Sequence, residues 1–452
     1  MEFITMDKIE ETKFIQRIFE TPSDQFSEWF GYYNYDTLNE RRNKILCGRA
    51  AFDGVRPRQD LMIELGYYDT ISREWHKIGE TDSWNWQQGA MLQWLHGLEE
   101  KVIYNDSNNG RLISRICNCT TGVNKEIDWP IYGITPDGKH SITLDLERSF
   151  WCRAYHYASV ENCTKDGRVY EDDGIFDIDI ENNVRKKIVR IQDVINTDKR
   201  DDFDNCKHWL EHIMINPSGT KFCFLHRFSP IHNVYQYTTR LFVANIDGSN
   251  LKIIPEWEKY QWSHFGWKGD NAFVIYTVEK PKWSVAKSYR QLLQTRPLSL
   301  TTLFKKATVS IATRLPYIIE KHILGGGRYY QCYQLDDYNE VKMNGVIESS
   351  LFDIDGHPSF TSDSRYMITD SYPDRHGYQR LIVYDTLTNK GMIIAEFYAY
   401  YKGNPASCDL HPKLCSDNEY LAVDTAYDEH HHLILYKLNW EEIKKKLSNG
   451  IR

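Results

Sequence analysis

The stretch HPSFTSDSRYMITD, residues 357–370, decides the fold of this chain. A short apolar run is followed by the polar turn TSDS and then by a second apolar run, as expected for two antiparallel strands joined by a tight turn. The same pattern recurs along the chain, and its spacing is that of a structural repeat. Clear copies begin at Tyr132, His212, His264 and His411, and weaker copies begin at Leu38 and Met91.

Each repeat continues into a further hairpin. RLFVANIDGSNLKII from Arg240 and RLIVYDTLTNKGMII from Arg380 are apolar runs interrupted by Asp-Gly and Thr-Asn turns. Four strands per unit, with roughly 40 to 55 residues between most units, is the period of a β-propeller. The seven repeats therefore predict an all-β, seven-bladed β-propeller. A strand near 433–438 is expected to close the ring by pairing with N-terminal strands.

The composition excludes several classes of protein. The 452 residues are 41% hydrophobic and 26% charged, with a net charge of -8, as in a folded globular chain without general attraction for nucleic acid. No apolar run of about 18 residues is present, and the first twenty residues lack the apolar core of a secretory signal. These features predict a cytoplasmic protein with no nucleic-acid partner.

The propeller is predicted to span residues 31–440, between an N-terminal extension at 1–30 and a C-terminal tail at 441–452. Within 284–326 the strand pattern stops and apolar residues recur at helical spacing, which predicts one helical insertion. This segment contains seven basic residues and a single acidic residue, Glu320. Such a segment suits a peripheral contact with an anionic membrane, an acidic glycan or a partner; the alternative is a helix pair packed on the propeller or at a dimer contact.

Superimposing the repeats brings one position, about four residues before the turn, to the start of the innermost strand in each blade. Four blades carry histidine at this position, so a ring of imidazoles is predicted around the central channel. Converging imidazoles are a common ligand set for a divalent transition metal, although they also serve as polar channel filling. The predicted metal ligands are His212, His264, His357 and His411.

Residues that close the second strand of a blade should border this ring. Arg227 is predicted to clamp a carboxylate, and His226 or Tyr372 to transfer a proton. Asp370 and Asp374 are predicted to contact substrate. Each of these polar residues also has a simpler interpretation as a group that stabilises a turn.

The motifs SHFGW from Ser263, DGHPSFTSDSRYMITDSYPD from Asp355 and DLHPKLCSD from Asp409 resemble those of the oligogalacturonate-lyase-like β-propellers, within the wider group with TolB-like repeats. The likeness covers most of residues 40–440. It implies a divalent metal, typically manganese, held by histidines and a glutamine; the imidazole set by itself is also compatible with zinc, iron or nickel. By this resemblance His264, His357 and His411 are ligands, and His212 is a fourth ligand or the base. The chain lacks the family's closely spaced Gln-x-x-His-x-His set, and has Ser407 and Cys408 where related chains often carry arginine.

The resulting functional hypothesis is a metal-dependent polysaccharide-lyase-like enzyme that cleaves an acidic, uronate-containing oligosaccharide by β-elimination. A metal or arginine would neutralise the carboxylate beside the acidic proton. Trp86 and Trp262 are candidates for stacking against sugar rings, or else pack between blades. The alternatives are a noncatalytic propeller that binds glycan or protein in a polysaccharide pathway and, on weaker grounds, a glycoside hydrolase.

Overall fold

The computed structural model describes residues 9–10, 12–22, 25–58, 60–97, 100–122, 124–153, 167–231, 237–280, 326–401 and 406–449. These residues form seven antiparallel sheets, each built around four strands. The predicted all-β, seven-bladed β-propeller is confirmed. The predicted helical insertion at 284–326 lies outside the described residues, apart from its last position.

The first three blades follow one another along the chain, each from the innermost strand outward. The first comprises β3 (Ser27–Trp29), β4 (Lys44–Ala50), β5 (Ile63–Asp69) and β6 (Trp75–Thr81); the second comprises β7 (Gln93–Trp94), β8 (Lys101–Asn108), β9 (Arg111–Asn118) and β10 (Asn124–Ile127); the third comprises β11 (Gly133–Ile134), β12 (His140–Leu144), β13 (Gly174–Asp179) and β14 (Val184–Arg190).

The next two blades have longer inner strands. The fourth comprises β15 (Cys206–Ile215), β16 (Lys221–Pro230), β17 (Thr238–Asn245) and β18 (Lys252–Ile253); the fifth comprises β19 (Tyr260–Trp267), β20 (Ala272–Glu279), β21 (Arg328–Leu335) and β22 (Val341–Ile347).

The last two blades incorporate the N-terminal part of the chain. The sixth comprises β23 (Ser359–Phe360), β24 (Tyr366–Asp370), β25 (Tyr378–Asp385) and β26 (Lys390–Tyr398), with β1 (Ile9–Glu10) added outside β26; the seventh comprises β27 (Lys413–Leu414), β28 (Tyr420–Thr425) and β29 (His432–Leu438), with β2 (Ile15–Glu20) outermost.

Pairing of β2 with β29, from Ile15 opposite Leu438 to Glu20 opposite Ile434, closes the ring as expected. The range 1–30, predicted as an extension, instead contributes β1, β2 and β3 to three different blades. Free backbone groups at a sheet edge favour such pairing. The predicted tail also carries structure, because Ile443 and Leu447 of the C-terminal helix (Trp440–Ser448) are buried against the core.

Three helices are described: α1 (Leu146–Arg153), α2 (Ile191–Asn196) and α3 (Trp440–Ser448). No helix in the described part of the chain has the length and apolar character needed to cross a membrane.

The middle strands of the blades are apolar because both of their faces are covered. All five residues of β24 are buried, and so are nine of the ten residues of β16. Blades pack face to face around the ring, so a middle strand lacks the solvent side of an ordinary half-exposed sheet.

The repeated turns share one polar contact. The hydroxyl of Thr361 donates to Asp363 at 2.5 Å, and the hydroxyl of Thr135 donates to Asp137 at 2.6 Å. A side chain that satisfies local turn groups in this way favours the tight connection between the first and second strands.

Candidate metal centre

The four repeat histidines converge in the channel. His212 and His264 lie in the innermost strands β15 and β19, whereas His357 and His411 each lie two residues before a strand, β23 and β27. The imidazole centroids are 6.3 Å apart for His212 and His264, 4.0 Å for His264 and His357, and 4.4 Å for His357 and His411. The histidines therefore follow one another in blade order, as the register of the repeats predicted.

Local backbone distortions direct these side chains. The pairing of β15 with β16 is irregular between Glu211 and Met214, and that of β19 with β20 is irregular between Trp262 and Phe265. His212 has a φ of 54° and His411 a φ of 43°. Bulges turn side chains away from the regular alternation, and left-handed backbone at a residue other than glycine occurs often at functional sites.

The orientation of His357 is set by Asp370, which ends the second strand of the same blade. Its Nδ1 lies 3.0 Å from each carboxylate oxygen of Asp370, and its backbone N–H donates to Oδ1 at 2.6 Å. A carboxylate at Nδ1 favours the tautomer that carries its hydrogen there, so the Nε2 lone pair is available to a metal. Asp370, predicted to contact substrate, therefore orients a candidate ligand.

His411 is oriented in the same way by a backbone carbonyl. Its Nδ1 lies 2.6 Å from the carbonyl oxygen of Gly31, and its Nε2 is buried without a hydrogen-bond partner. Burial holds the pKa values of His357 and His411 well below the ordinary 6.5, so both rings are neutral. Neutral imidazole is the form that binds metal ions.

Asp409 completes a group of three ligands. One ligand atom from each of His357, Asp409 and His411 lies within 4.8 Å of the others, and all three residues are buried. Burial raises the pKa of the Asp409 carboxyl well above its usual range, and the nearby carboxylates of Asp370 and Asp355 act in the same direction. A divalent cation would compensate both the buried carboxylate and the unpartnered nitrogen of His411, so the residues fit a metal.

Sequence reasoning missed Asp409 as a ligand. The signal that could have identified it is the Asp-x-His spacing in Asp409-Leu-His411, which is repeated one blade earlier in Asp355-Gly-His357. The two aspartates nevertheless differ in their contacts. Asp355 Oδ1 lies 3.2 Å from Nδ1 of His264 instead of joining the three-residue group.

A tyrosine-rich segment, Gly31–Tyr35, crosses the channel beside the histidines. The hydroxyl of Tyr32 lies 2.9 Å from Nδ1 of His212, and that of Tyr33 donates to the carbonyl of Phe265 at 2.8 Å. The Tyr32 and Tyr33 rings also pack against His357 and His411, and both tyrosines are buried. These side chains fill the channel next to the candidate metal ligands.

Asp424 of the seventh blade anchors this segment. Its two carboxylate oxygens accept hydrogen bonds from the backbone N–H groups of Phe30 and Gly31, each at 3.0 Å. Gly31 has a φ of 124°, and a Cβ atom there would lie 2.7 Å from the carbonyl oxygen of Gln88. Only glycine suits this position, which presents the carbonyl that orients His411.

His212 lies apart from the three-residue group. Its Nε2 is 3.5 Å from the carboxylate of Glu211, which also accepts hydrogen bonds from Arg227 and, at 2.6 Å, from Nε1 of Trp209. The side chain of Arg227 is only 4% exposed. Arg227, predicted to clamp a substrate carboxylate, is thus engaged in a buried ion pair with Glu211.

His226 lies in a different buried cluster. Its Nε2 is 3.0 Å from Nδ1 of His208, and its ring packs against Phe203 and Phe228. Consecutive residues of a strand point to opposite faces, so His226 faces away from the side taken by Arg227. Burial lowers the pKa of His226 well below 6.5. Its ring neighbours among the described residues do not include the channel histidines, so His226, predicted to transfer a proton, is not beside the candidate metal centre.

Tyr372 lies at the rim of the candidate centre. Its ring centroid is 5.8 Å from that of His264 and 5.7 Å from that of His357, and the residue is partly exposed. Asp374, two residues later, accepts hydrogen bonds from the backbone N–H groups of His376 and Tyr378 at 2.8 and 3.0 Å. Tyr372 is therefore placed to meet a bound molecule, whereas the contacts of Asp374 stabilise the turn.

Neither predicted stacking tryptophan is open to solvent. Trp86 is 3% exposed and stacks on His431 with ring centroids 4.4 Å apart. Trp262 is 2% exposed and donates from Nε1 to Gln331 at 3.0 Å. Both side chains pack within the propeller, the alternative interpretation of the sequence.

The accessible side of the centre is formed by residues around His264. The side chains of His264 and Asp355 are 11% and 18% exposed, compared with 1% for His357. A molecule entering the channel would therefore meet His264, Asp355 and Tyr372 before it reached the buried ligands.

Comparisons with known proteins agree with this architecture. No family model and no curated protein matches the chain. Among solved structures, an oligogalacturonate lyase in complex with manganese is similar with a TM-score of 0.59 and 16% identity, covering 96% of each chain. An oligogalacturonate lyase from Vibrio parahaemolyticus is similar with a TM-score of 0.58 and 13% identity, covering 95% of this chain and 96% of the other. The chain therefore shares the β-propeller fold of these two lyase structures.

Proposed function

We propose that this protein is a metal-dependent lyase that cleaves a uronate-containing oligosaccharide by β-elimination. The observation that carries the proposal is the buried group of His357, Asp409 and His411 at the channel. It occurs in a fold similar over nearly its full length to a lyase structure in complex with manganese. Two imidazoles and a carboxylate suit manganese, and zinc is the alternative.

When bound, the divalent cation would neutralise the carboxylate of the uronate and so make the neighbouring C5 proton more acidic. Asp370 and the Gly31 carbonyl hold the two histidine rings with Nε2 available. The protein contributes by fixing the orientation of these rings, because they then need not reorganise before they bind the metal.

His264 is our candidate for the group that removes the C5 proton. Its Nδ1 lies 3.2 Å from Asp355, which leaves Nε2 to accept a proton while the carboxylate stabilises the resulting positive charge. The C4–O4 bond then breaks as the C4–C5 double bond forms. Tyr372 lies beside His264 and is our candidate to donate its hydroxyl proton to the departing O4.

The first experiment measures metal content in the purified parent and in a His357→Ala, His411→Ala double variant. We expect about one equivalent of transition metal in the parent and a large loss in the variant. His140→Ala is the matched control, because His140 belongs to the third blade and pairs with Asp177 at 2.9 Å. The control should keep its metal.

The second experiment incubates metal-loaded parent with oligogalacturonate and follows the ultraviolet absorbance of the unsaturated product. Product in the parent and none in the double variant would support the lyase proposal. A parent that takes up neither manganese nor zinc would refute the metal centre. Metal binding without product would refute the lyase reaction and favour a noncatalytic glycan-binding propeller.

A further inference from the structure

The side chain of Gln87 bridges two residues of the segment that carries Asp409. Its Nε2 donates to the carbonyl oxygen of Ser407 at 2.9 Å, and its amide also hydrogen-bonds the carboxylate of Asp409. A carbonyl oxygen and a carboxylate only accept hydrogen bonds, whereas the NH2 group of an amide donates two. One NH2 group can therefore serve both acceptors, which are two residues apart along the chain.

The loop around Gln87 holds this residue in place. It belongs to the connection between β6 and β7, where the backbone N–H groups of Asn85 and Gly89 each donate to the carbonyl of the other residue, at 3.0 and 2.9 Å. The side chain of Asn85, a residue only 1% exposed, accepts from the backbone N–H groups of Gln87 at 3.0 Å and Gln88 at 2.8 Å. These local hydrogen bonds fix the backbone from which the Gln87 amide extends.

The carboxylate of Asp409 depends on such a partner for its orientation. The terminal torsion of an aspartate side chain is broad and has no sharp staggered minima, so the bond to the carboxylate turns easily unless a donor fixes it. The two histidine rings of the group are fixed by Asp370 and by the Gly31 carbonyl. Within the described part of the chain, the amide of Gln87 is the one hydrogen-bond donor to the Asp409 carboxylate.

A second glutamine anchors the same segment without contacting this carboxylate. Gln379 of β25 is fully buried and donates from Nε2 to the carbonyl oxygen of Cys408 at 2.9 Å. Loss of either amide would remove a hydrogen bond from the backbone beside Asp409, but only loss of Gln87 would also release the carboxylate. The two glutamines therefore separate support of the backbone from orientation of the ligand.

The orientation of Asp409 bears on which metal the centre prefers. Asp409 supplies the oxygen ligand of the three-residue group, and His357 and His411 supply nitrogen ligands. Carboxylate oxygens suit manganese, whereas imidazole nitrogens suit zinc. A carboxylate fixed beside the two imidazoles therefore favours manganese relative to zinc, and a carboxylate free to turn favours it less.

We propose that Gln87 is a positioning residue that fixes the Asp409 carboxylate and thereby sets the preference of the centre for manganese over zinc. The inference rests on the metal centre proposed above. Gln87 acts through Asp409 and is not itself a ligand.

Competition titrations of metal-free protein with manganese and with zinc test this role. Gln87→Met keeps the length of the side chain and removes the amide. Its dissociation constant for manganese should rise about tenfold, the lower end of the usual effect of a partner that orients a metal ligand. Its dissociation constant for zinc should rise by no more than about threefold, because the two imidazoles remain oriented.

The unfolding midpoint of each metal-free protein shows whether the variants fold. Gln87→Asn is the second variant, because it keeps an amide on a side chain one methylene shorter and places it out of reach of both acceptors. It should shift the ratio of manganese to zinc affinity in the same direction as Gln87→Met. A general loss of structure would weaken both metals alike and leave the ratio unchanged.

Gln379→Met is the matched control, because it removes an amide that holds the same segment but not the carboxylate. Its ratio of manganese to zinc affinity should stay within about twofold of that of the parent. An unchanged ratio in both Gln87 variants, or an equal shift in Gln379→Met, would overturn the role of Gln87.

This role and the proposed metal centre fail in different ways. A parent that binds neither manganese nor zinc refutes the centre itself, and the role of Gln87 falls with it. A parent that binds manganese, with the parental ratio in both Gln87 variants, refutes only the role of Gln87. The lyase reaction is judged separately by the unsaturated product, because these titrations measure binding without turnover.

Discussion

Replacement of Asp370 by asparagine tests how the candidate metal centre is organised. The Asp370 carboxylate lies 3.0 Å from Nδ1 of His357 and accepts hydrogen bonds from the backbone N–H groups of His357, at 2.6 Å, and His411, at 3.2 Å. Asparagine has nearly the same shape but offers one acceptor oxygen in place of two. The amide NH2 of asparagine would therefore face at least one of these donors and could not accept its hydrogen bond.

The expected loss follows from these contacts. A partner that fixes the tautomer and orientation of a ligand histidine is typically worth about 10- to 100-fold in metal affinity, or roughly 1.4 to 2.7 kcal/mol. Asp370 supports two of the three candidate ligands, so we expect the Asp370→Asn variant to fall in this range. The three ligands themselves remain, so metal binding should weaken and not disappear.

The assay is a competition titration of manganese, with the unfolding midpoint measured in parallel with and without metal. Asp385→Asn is the matched control, because Asp385 is a buried aspartate of the same blade whose carboxylate pairs with Arg365 at 2.8 Å, at the opposite end of β25. Its manganese affinity should match that of the parent. An Asp370→Asn variant that binds manganese within about twofold of the parent would refute the orienting role.

Other predictions concern stability. Burial lowers the pKa of His208 from 6.5 to about 4, so the residue is neutral in the folded protein. As the pH falls below 6.5, the unfolded chain binds a proton at this histidine before the folded protein does. The free energy of unfolding should therefore decrease by about 2 kcal/mol between pH 7 and pH 5. Urea unfolding of a His208→Gln variant should lack that part of the pH dependence, and an unchanged slope would contradict it. Phe19→Ala, at a 1% exposed position of β2, should cost about 3 to 5 kcal/mol in the free energy of unfolding, whereas exposed Arg17→Ala should cost less than about 0.5 kcal/mol. Trp86→Ala should lower the unfolding midpoint while leaving the oligosaccharide affinity unchanged, and a selective loss of affinity would restore its predicted role in sugar binding.

The metal centre shows how far sequence reasoning reached within the site. The common register of the repeats was enough to bring His357 and His411 together, because every blade starts its innermost strand at the same place on the channel. It could not identify Asp409 as their companion. Two aspartates stand at equivalent positions before a histidine, and only packing directs one of them to the group of three while the other contacts His264.

The candidate catalytic residues show a second limit. His226 and Arg227 adjoin in sequence, yet strand geometry sends them to opposite faces, and only the folded chain reveals that Glu211 pairs with Arg227. The exposure of a tryptophan side chain likewise depends on the folded chain. Trp86 is enclosed by aromatic neighbours that are distant along the chain, including His431.

The sequence by itself determined the number of blades, the turns between their strands and the histidine at the start of four of them, because these features depend on local periodicity and turn chemistry. The tertiary structure decided which polar groups pair, which side chains remain accessible and how the tyrosine-rich segment at Gly31–Tyr35 enters the channel. Those outcomes depend on contacts between residues hundreds of positions apart, such as Asp424 with Gly31. No local pattern encodes such contacts, since they arise only when the ring closes and brings distant blades together around the channel.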